Sequence, residues 1–447
     1  MSKPYARIAD GIARRIASGD LPVGTRLPPQ RRFAYDQGIA VSTASRVYEE
    51  LRRRGLVSGE VGRGTYVASR FTPLDPAQQE PPGLGVDLEI VFRLSADARQ
   101  TIAQSTTRFF KSGLPDRATL PPSVHADPET AAALARLTSV DDFRVTADNL
   151  LLAGSGKEAI AATFSALAPR GGRIAVEALT YPFAIAAARL LGIELVPVPV
   201  DAEGIDPAAL DRLAREGLQG VYLQPTHQSP LVLTQSRTRR QEIAAVLIRH
   251  DLPGIEDRVY GFLRPAPPVA AFAPDHVIQI DSLSKRLMPG LALGMIVAPM
   301  RFQEALARSL RAGGWMAPSL AVALARHWLQ EDVPAAVEAS KRRDAAAMYD
   351  LARAAFAELD FRGAPDALHG WLTLPGAWRG ESFAAACADL GIAVAPGHSF
   401  AVIPGNAPPG VRIAFSAADL DTWKLALAEV ASLARKSPRQ STEPRID

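Results

Sequence analysis

Residues 277–290 read Val-Ile-Gln-Ile-Asp-Ser-Leu-Ser-Lys-Arg-Leu-Met-Pro-Gly. The run from Val277 through Ile280 is short, apolar and β-branched, the pattern of a buried strand, and Pro289-Gly290 punctuates its exit. Lys285 follows two alternating serines, Ser282 and Ser284, where that strand ends. A lysine so placed can form a Schiff base while the hydroxyls bind a phosphate. One lysine alone is ordinarily a solvated charge, so the reading rests on the rest of the chain.

Three further constellations precede it in order. Leu151-Leu152-Ala153-Gly154-Ser155-Gly156-Lys157 is a strand that ends in a small-residue turn before a helix, where free N–H groups and the positive helix end suit a phosphate. Such a turn is most often only a connection. One strand later, Tyr181 in Val176-Glu177-Ala178-Leu179-Thr180-Tyr181-Pro182 stands at a strand end, where its ring can lie flat on a planar partner or simply pack. In Gly254-Ile255-Glu256-Asp257-Arg258-Val259-Tyr260, Asp257 is a strand-end acid able to pair with a protonated ring nitrogen, and Tyr260 can donate to a ring oxygen.

Around these motifs, apolar runs such as those at 173–179, 194–200, 220–225 and 293–299 alternate with Ala- and Leu-rich helical stretches. Strands alternating with helices indicate an α/β body with a mostly parallel central sheet. The chain has 447 residues, 47% hydrophobic and 22% charged, with a mean hydropathy of +0.02, a globular composition long enough for two or three domains. The single cysteine, Cys387, excludes an intramolecular disulfide and a multi-cysteine zinc site, and no metal is expected. With neither a signal-like N-terminus nor an apolar stretch of membrane-spanning length, the expected location is the cytoplasm.

Charge divides the chain. Residues 1–70 hold 13 Lys and Arg against 6 Asp and Glu, a balance of +7, whereas the remainder carries −4. A basic head on an acidic body suggests that the head meets nucleic acid. Ile8, Ile12 and Ile16 give one apolar helix face; a Gly/Pro turn follows, then a short helix near 28–37, Gly38, and a third helix over Val41–Arg53 with Val47 and Leu51 inward. This is helix-turn-helix geometry. Ser42, Thr43, Ser45 and Arg46 lie on the early turns of the recognition helix, and Gly62-Arg63-Gly64-Thr65 places Arg63 at the tip of a β-wing. We divide the chain into a head at 1–68, a Pro-rich linker at 69–87, a body at 88–434 and a disordered tail at 435–447.

Residues 4–67 resemble the winged helix of GntR-type bacterial regulators, through the stretch Arg26-Leu27-Pro28-Pro29-Gln30-Arg31-Arg32-Phe33-Ala34, the block ending Tyr48-Glu49-Glu50-Leu51, Gly55-Leu56-Val57 and the wing motif; Arg31 joins the DNA-contacting set. Ala40-Val41 opens the recognition helix where that family usually carries a polar or basic residue. The four body motifs resemble, over roughly 120–430, the pyridoxal phosphate site of fold-type I aminotransferases. The resemblance implies a Schiff base at Lys285, Asp257 at the pyridine nitrogen, Tyr260 at the ring hydroxyl and Tyr181 stacked on the ring. It further implies Ser155, Gly156, Lys157, Ser282 and Ser284 around the phosphate, His227 in the cofactor site and Arg412 gripping an effector carboxylate. The combination is similar to the MocR subfamily: a winged helix fused to a fold-type I transferase-like domain, homodimeric, binding a double-stranded DNA operator and sensing pyridoxal phosphate or an amino compound.

Departures cluster at the cofactor site. Ala292 stands where the family has a phosphate-clamping arginine, Pro230-Leu231-Val232 where it reads Pro-Thr-Gly, and His125 where a partner-donated tyrosine is typical. One lost charge-assisted contact costs about 1.5–3 kcal/mol, ten- to hundredfold in affinity, with Arg286 or Lys157 as candidates to compensate. Those losses argue against full transamination. The competing readings are an active aminotransferase with an accessory DNA-binding head, and a regulator whose body has lost the cofactor.

Overall fold

The computed structural model describes residues 4–18, 20–22, 25–53, 56–60, 64–67, 85–91, 94–140, 143–376, 378–403, 405–415 and 420–436. In the head, helices Pro4–Ser18, Gln30–Asp36 and Val41–Arg53 pack around Ile12, Ile16, Phe33, Val47, Tyr48 and Leu51, all buried. Tyr48 meets Phe33 edge-on at 5.3 Å and its hydroxyl donates to the Pro28 carbonyl at 2.5 Å, fastening the recognition helix to the turn before the second helix. The wing is the antiparallel pair Val57–Glu60 and Gly64–Val67. A third strand, Arg26–Leu27, pairs with it inside the segment that reads as a plain turn; two residues between Gly and Pro clusters carry no strand periodicity.

The body is built on a seven-stranded sheet in the order Leu150–Ala153, Gly294–Val297, Val277–Ser282, Gly254–Asp257, Gly220–Leu223, Arg173–Glu177, Glu194–Val198. Four of its six pairings are parallel, and only Gly294–Val297 runs against its neighbours. Most of its strands are buried along their length, because helices cover both faces; this is why they read as continuous apolar runs. Ligand sites in such sheets form beyond the carboxyl ends of the strands. Glu177, Asp257 and Ser282 are the last residues of theirs, and Gln224 follows directly on Leu223.

A second sheet of five strands, Asp360–Arg362, His369–Thr373, Gly410–Ala414, Ile392–Pro396 and Val86–Leu88, packs on helices Val333–Ala355, Gly380–Ala388 and Leu420–Arg435 around Trp423, Phe383 and Phe356. Its edge strand begins inside the stretch read as linker: residues 86–88 pair in parallel with Ile392–Val394, so Val86 and Asp87 belong to this sheet. Gly85 makes the entry possible, since at φ +143° a Cβ there would lie 2.7 Å from the Gly391 carbonyl oxygen. Residues 69–84, the wing-tip Arg63 and residues 437–447 lie outside the described residues.

Candidate cofactor and effector site

The four motifs converge on one cavity of about 330 Å³. Ser155 caps helix Gly156–Leu167 by accepting from the Glu158 N–H (3.1 Å), so the turn presents first-turn amides that an α-helix leaves without intrahelical acceptors. Two glycines let this turn and the lysine-bearing loop approach. A Cβ on Gly156 would lie 3.1 Å from the Ser282 Cβ, and one on Gly294 would strike the Ser155 carbonyl. Ser282 accepts from the Ser284 N–H (3.1 Å) and donates to the Leu293 carbonyl (3.2 Å), which sets the loop that carries Lys285.

Lys285 is half-buried, and desolvation, followed by the charges of Arg412, Lys341 and Lys157, pushes its ammonium well below the usual lysine range. Its Nζ donates to the Val91 carbonyl (3.0 Å), while Lys341 donates to the carbonyl of Lys285 itself (2.5 Å). Lys341 is buried too, and its ammonium is brought down to about 7. Asp257 is raised by burial even though Tyr222 Oη (2.6 Å) and Gln224 Nε2 (2.9 Å) donate to Oδ2 and the Val259 N–H (3.1 Å) donates to Oδ1. A buried carboxylate held this way has use for a cationic partner. Tyr181 and Tyr260 complete the walls, with burial lifting the Tyr260 phenol to about 12.

Arg412 reaches the cavity from the second sheet. Its guanidinium donates to Ser229 Oγ (2.9 Å) and to the Glu89 carbonyl and lies over the Phe400 ring at 4.9 Å. Nε is buried without a partner, and among the described residues no carboxylate lies within ion-pair distance of Arg412. A 9%-exposed cation in that state suits an anionic guest.

Lys285, Asp257, Tyr260, Tyr181, Ser155, Gly156, Lys157, Ser282, Ser284 and Arg412 thus all line one cavity. His227 does not line it; this buried imidazole turns away, 3.4 Å from Asp366. Ala292 lines the wall where the resemblance places an arginine. Arg286 is no substitute, since it is buried in ion pairs with Asp281 (2.7 Å) and Glu338 (2.7 Å). Lys157 does line the cavity, its ammonium 5.5 Å over the Phe183 ring. His125 lines a separate hollow with Asp127 and Arg326. The sequence reading missed Gln224, Ser229 and the strap Glu89–Ile90–Val91, all of which line the cavity. In the head, Arg31, Ser42 and Arg46 are exposed and Thr43 half-buried, whereas the Ser45 hydroxyl is spent on Gln30 Oε1 (2.8 Å) and the Val41 carbonyl (3.1 Å).

Comparison with known proteins agrees with both halves. Residues 4–67 match the bacterial regulatory proteins of the gntR family, and residues 96–429 match aminotransferase class I and II. The chain is 29% identical over 422 residues to YdeF of Bacillus subtilis, an uncharacterized HTH-type transcriptional regulator, covering 92% of this chain and 90% of that one. It is 26% identical over 312 residues to the HTH-type pyridoxine biosynthesis transcriptional regulator PdxR of Corynebacterium glutamicum, covering 66% of this chain and 65% of the relative. Among solved structures, an archaeal alanine:glyoxylate aminotransferase superposes with a TM-score of 0.71 at 22% identity, over 79% of this chain and 91% of its own, a likeness of fold.

Proposed function

Since the chain belongs to the aminotransferase class I and II family and carries a GntR-family DNA-binding head, the architecture of MocR-type regulators, we propose that it is a homodimeric cytoplasmic transcriptional regulator whose body binds pyridoxal phosphate and reports an amino compound to the head. The observation that carries this reading is the cavity in which Lys285, Asp257 and Arg412 meet, in a chain that also carries a GntR-family head. The donor set fits the group. The first turn of helix Gly156–Leu167, with Ser155, Lys157, Ser282 and Ser284, would hold the phosphate; Asp257 would hold the ring nitrogen, Tyr260 the ring hydroxyl and Tyr181 the ring face. When bound, pyridoxal phosphate supplies an aldehyde conjugated to an electron-withdrawing ring.

What the residues themselves do follows from their surroundings. Burial and the neighbouring cations lower the proton affinity of Lys285, which eases the release of the lone pair that a nucleophile needs. Arg412 orients a carboxylate in bidentate fashion and selects amino acids over simple amines. Both side chains meanwhile hold carbonyls of the strap, Lys285 that of Val91 and Arg412 that of Glu89. A ligand that takes the strap-facing donor of either one competes with the strap, and the strap continues strand Val86–Leu88. Ligand binding therefore biases the position of the segment from which the heads hang.

The test is DNA affinity. Duplexes selected from a random pool by the purified protein are titrated with and without pyridoxal phosphate and a panel of amino acids. We expect one or more amino acids to shift affinity at least fivefold, with the shift lost in Arg412→Met. A shift that survives in that variant overturns the effector role. Retention of the full reactive set favours a second reading, residual transaminase activity, which conversion of an amino acid with 2-oxoglutarate would reveal.

A further inference from the structure

Gln224 is 3% exposed and stands where strand Gly220–Leu223 gives way to the loop carrying Ser229. Its backbone N–H donates to Glu177 Oε1 (3.0 Å). Its side-chain amide donates to Asp257 Oδ2 (2.9 Å), and its side-chain carbonyl accepts from the Ser229 N–H (3.1 Å). The backbone N–H of Ser229, which can only donate, fixes the orientation of the carboxamide and turns its NH2 toward Asp257. Ser229 in turn accepts from Arg412 Nη1 (2.9 Å). One side chain thereby connects the acid meant for the ring nitrogen with the cation meant for the effector, groups contributed by two different sheets.

Resting on the cofactor site described above, we propose that Gln224 is a positioning residue that fixes Asp257 directly and Arg412 through Ser229, so that cofactor retention and carboxylate recognition depend on one carboxamide. Neighbours serve one end only. Tyr222 donates to Asp257 at 2.6 Å and has no bond to the loop, while Ser229 touches Arg412 and not Asp257. The two positions call for a donor and an acceptor on one side chain: Leu removes both, and Glu keeps the acceptor for Ser229 but sets a carboxylate against Asp257.

The experiment uses the full chain and two probes: pyridoxamine phosphate, which lacks a carboxylate, and N-(5′-phosphopyridoxyl)glycine, which adds one. Affinities from tryptophan fluorescence, and the ratio between the probes, separate the two ends. In the wild type we expect the glycine adduct to bind about tenfold more tightly. Ser229→Ala should weaken the glycine adduct far more than pyridoxamine phosphate and so collapse the ratio; Tyr222→Phe should weaken both probes about tenfold and leave the ratio near its wild-type value. Gln224→Leu should do both at once, and Gln224→Glu should weaken both probes and keep the ratio, which carries the test if the Leu variant does not fold. Gln224→Leu behaving like Tyr222→Phe, or Gln224→Glu losing the ratio, overturns the coupling. Failure of the folded wild type to bind either probe would instead overturn the cofactor site itself, and the coupling with it.

Discussion

Glu177 ends its strand fully buried, with Oε1 accepting from the Gln224 N–H and Oε2 without a partner. Burial, and then the nearby Asp257 charge, raises its carboxyl from 4.5 to about 8. The folded state therefore holds a proton that the unfolded chain releases between those values, and stability declines as pH rises through that window. Glu177→Gln removes the ionisation. Its stability advantage over the wild type should grow between about pH 5 and 8, reaching on the order of 3 kcal/mol near pH 7, as read by denaturant unfolding at several pH values. A difference that stays constant with pH would show that Glu177 is ionised in the fold. At this scale the site was only partly legible from sequence. Lys285, Asp257 and Arg412 sit in recognisable frames, whereas a lone polar residue after an apolar run, as at Gln224, is indistinguishable from an ordinary strand exit.

Two elements bear on function beyond single residues. The recognition helix Val41–Arg53 shows Arg46 to solvent, and Arg31 stands exposed on the preceding helix. Each should contribute a phosphate contact or a base contact; Arg46→Ala or Arg31→Ala acting on phosphate should reduce the slope of log affinity against log salt by about 1, uniformly across sequences. Unchanged slope and unchanged sequence preference would remove that residue from the interface. The strap is the other element. Asp87 Oδ1 accepts from the N–H groups of Glu89 (2.7 Å) and Ile90 (3.0 Å), shaping the bend that brings the Glu89 and Val91 carbonyls to Arg412 and Lys285. Amide exchange at residues 86–91 should accelerate when pyridoxal phosphate occupies Lys285, and exchange indifferent to ligand would break the link between site and linker. Nothing local marks this strand. Three residues after a Pro-rich stretch find their partner about 300 positions later, at Ile392, and only the fold brings them together.

At the scale of the whole molecule, the head and the large sheet were legible because their cores repeat: Ile12, Ile16, Val47 and Leu51 at helical spacing, and strands buried on both faces as unbroken apolar runs. The small sheet, assembled from strands distant in sequence, was not. The result is a DNA-binding head joined to a transferase-like body whose cavity is lined by Lys285, with Ala292 where the resemblance places a phosphate-clamping arginine. That combination suits a ligand that comes and goes with its concentration better than a cofactor held through repeated turnover. The most direct measurement is the visible absorbance spectrum of the purified chain, with and without added pyridoxal phosphate, beside Lys285→Ala. The account predicts a cofactor band near saturation in the wild type, lost in the variant while DNA binding persists. No band in the wild type at excess cofactor, or the same band in both proteins, would contradict it.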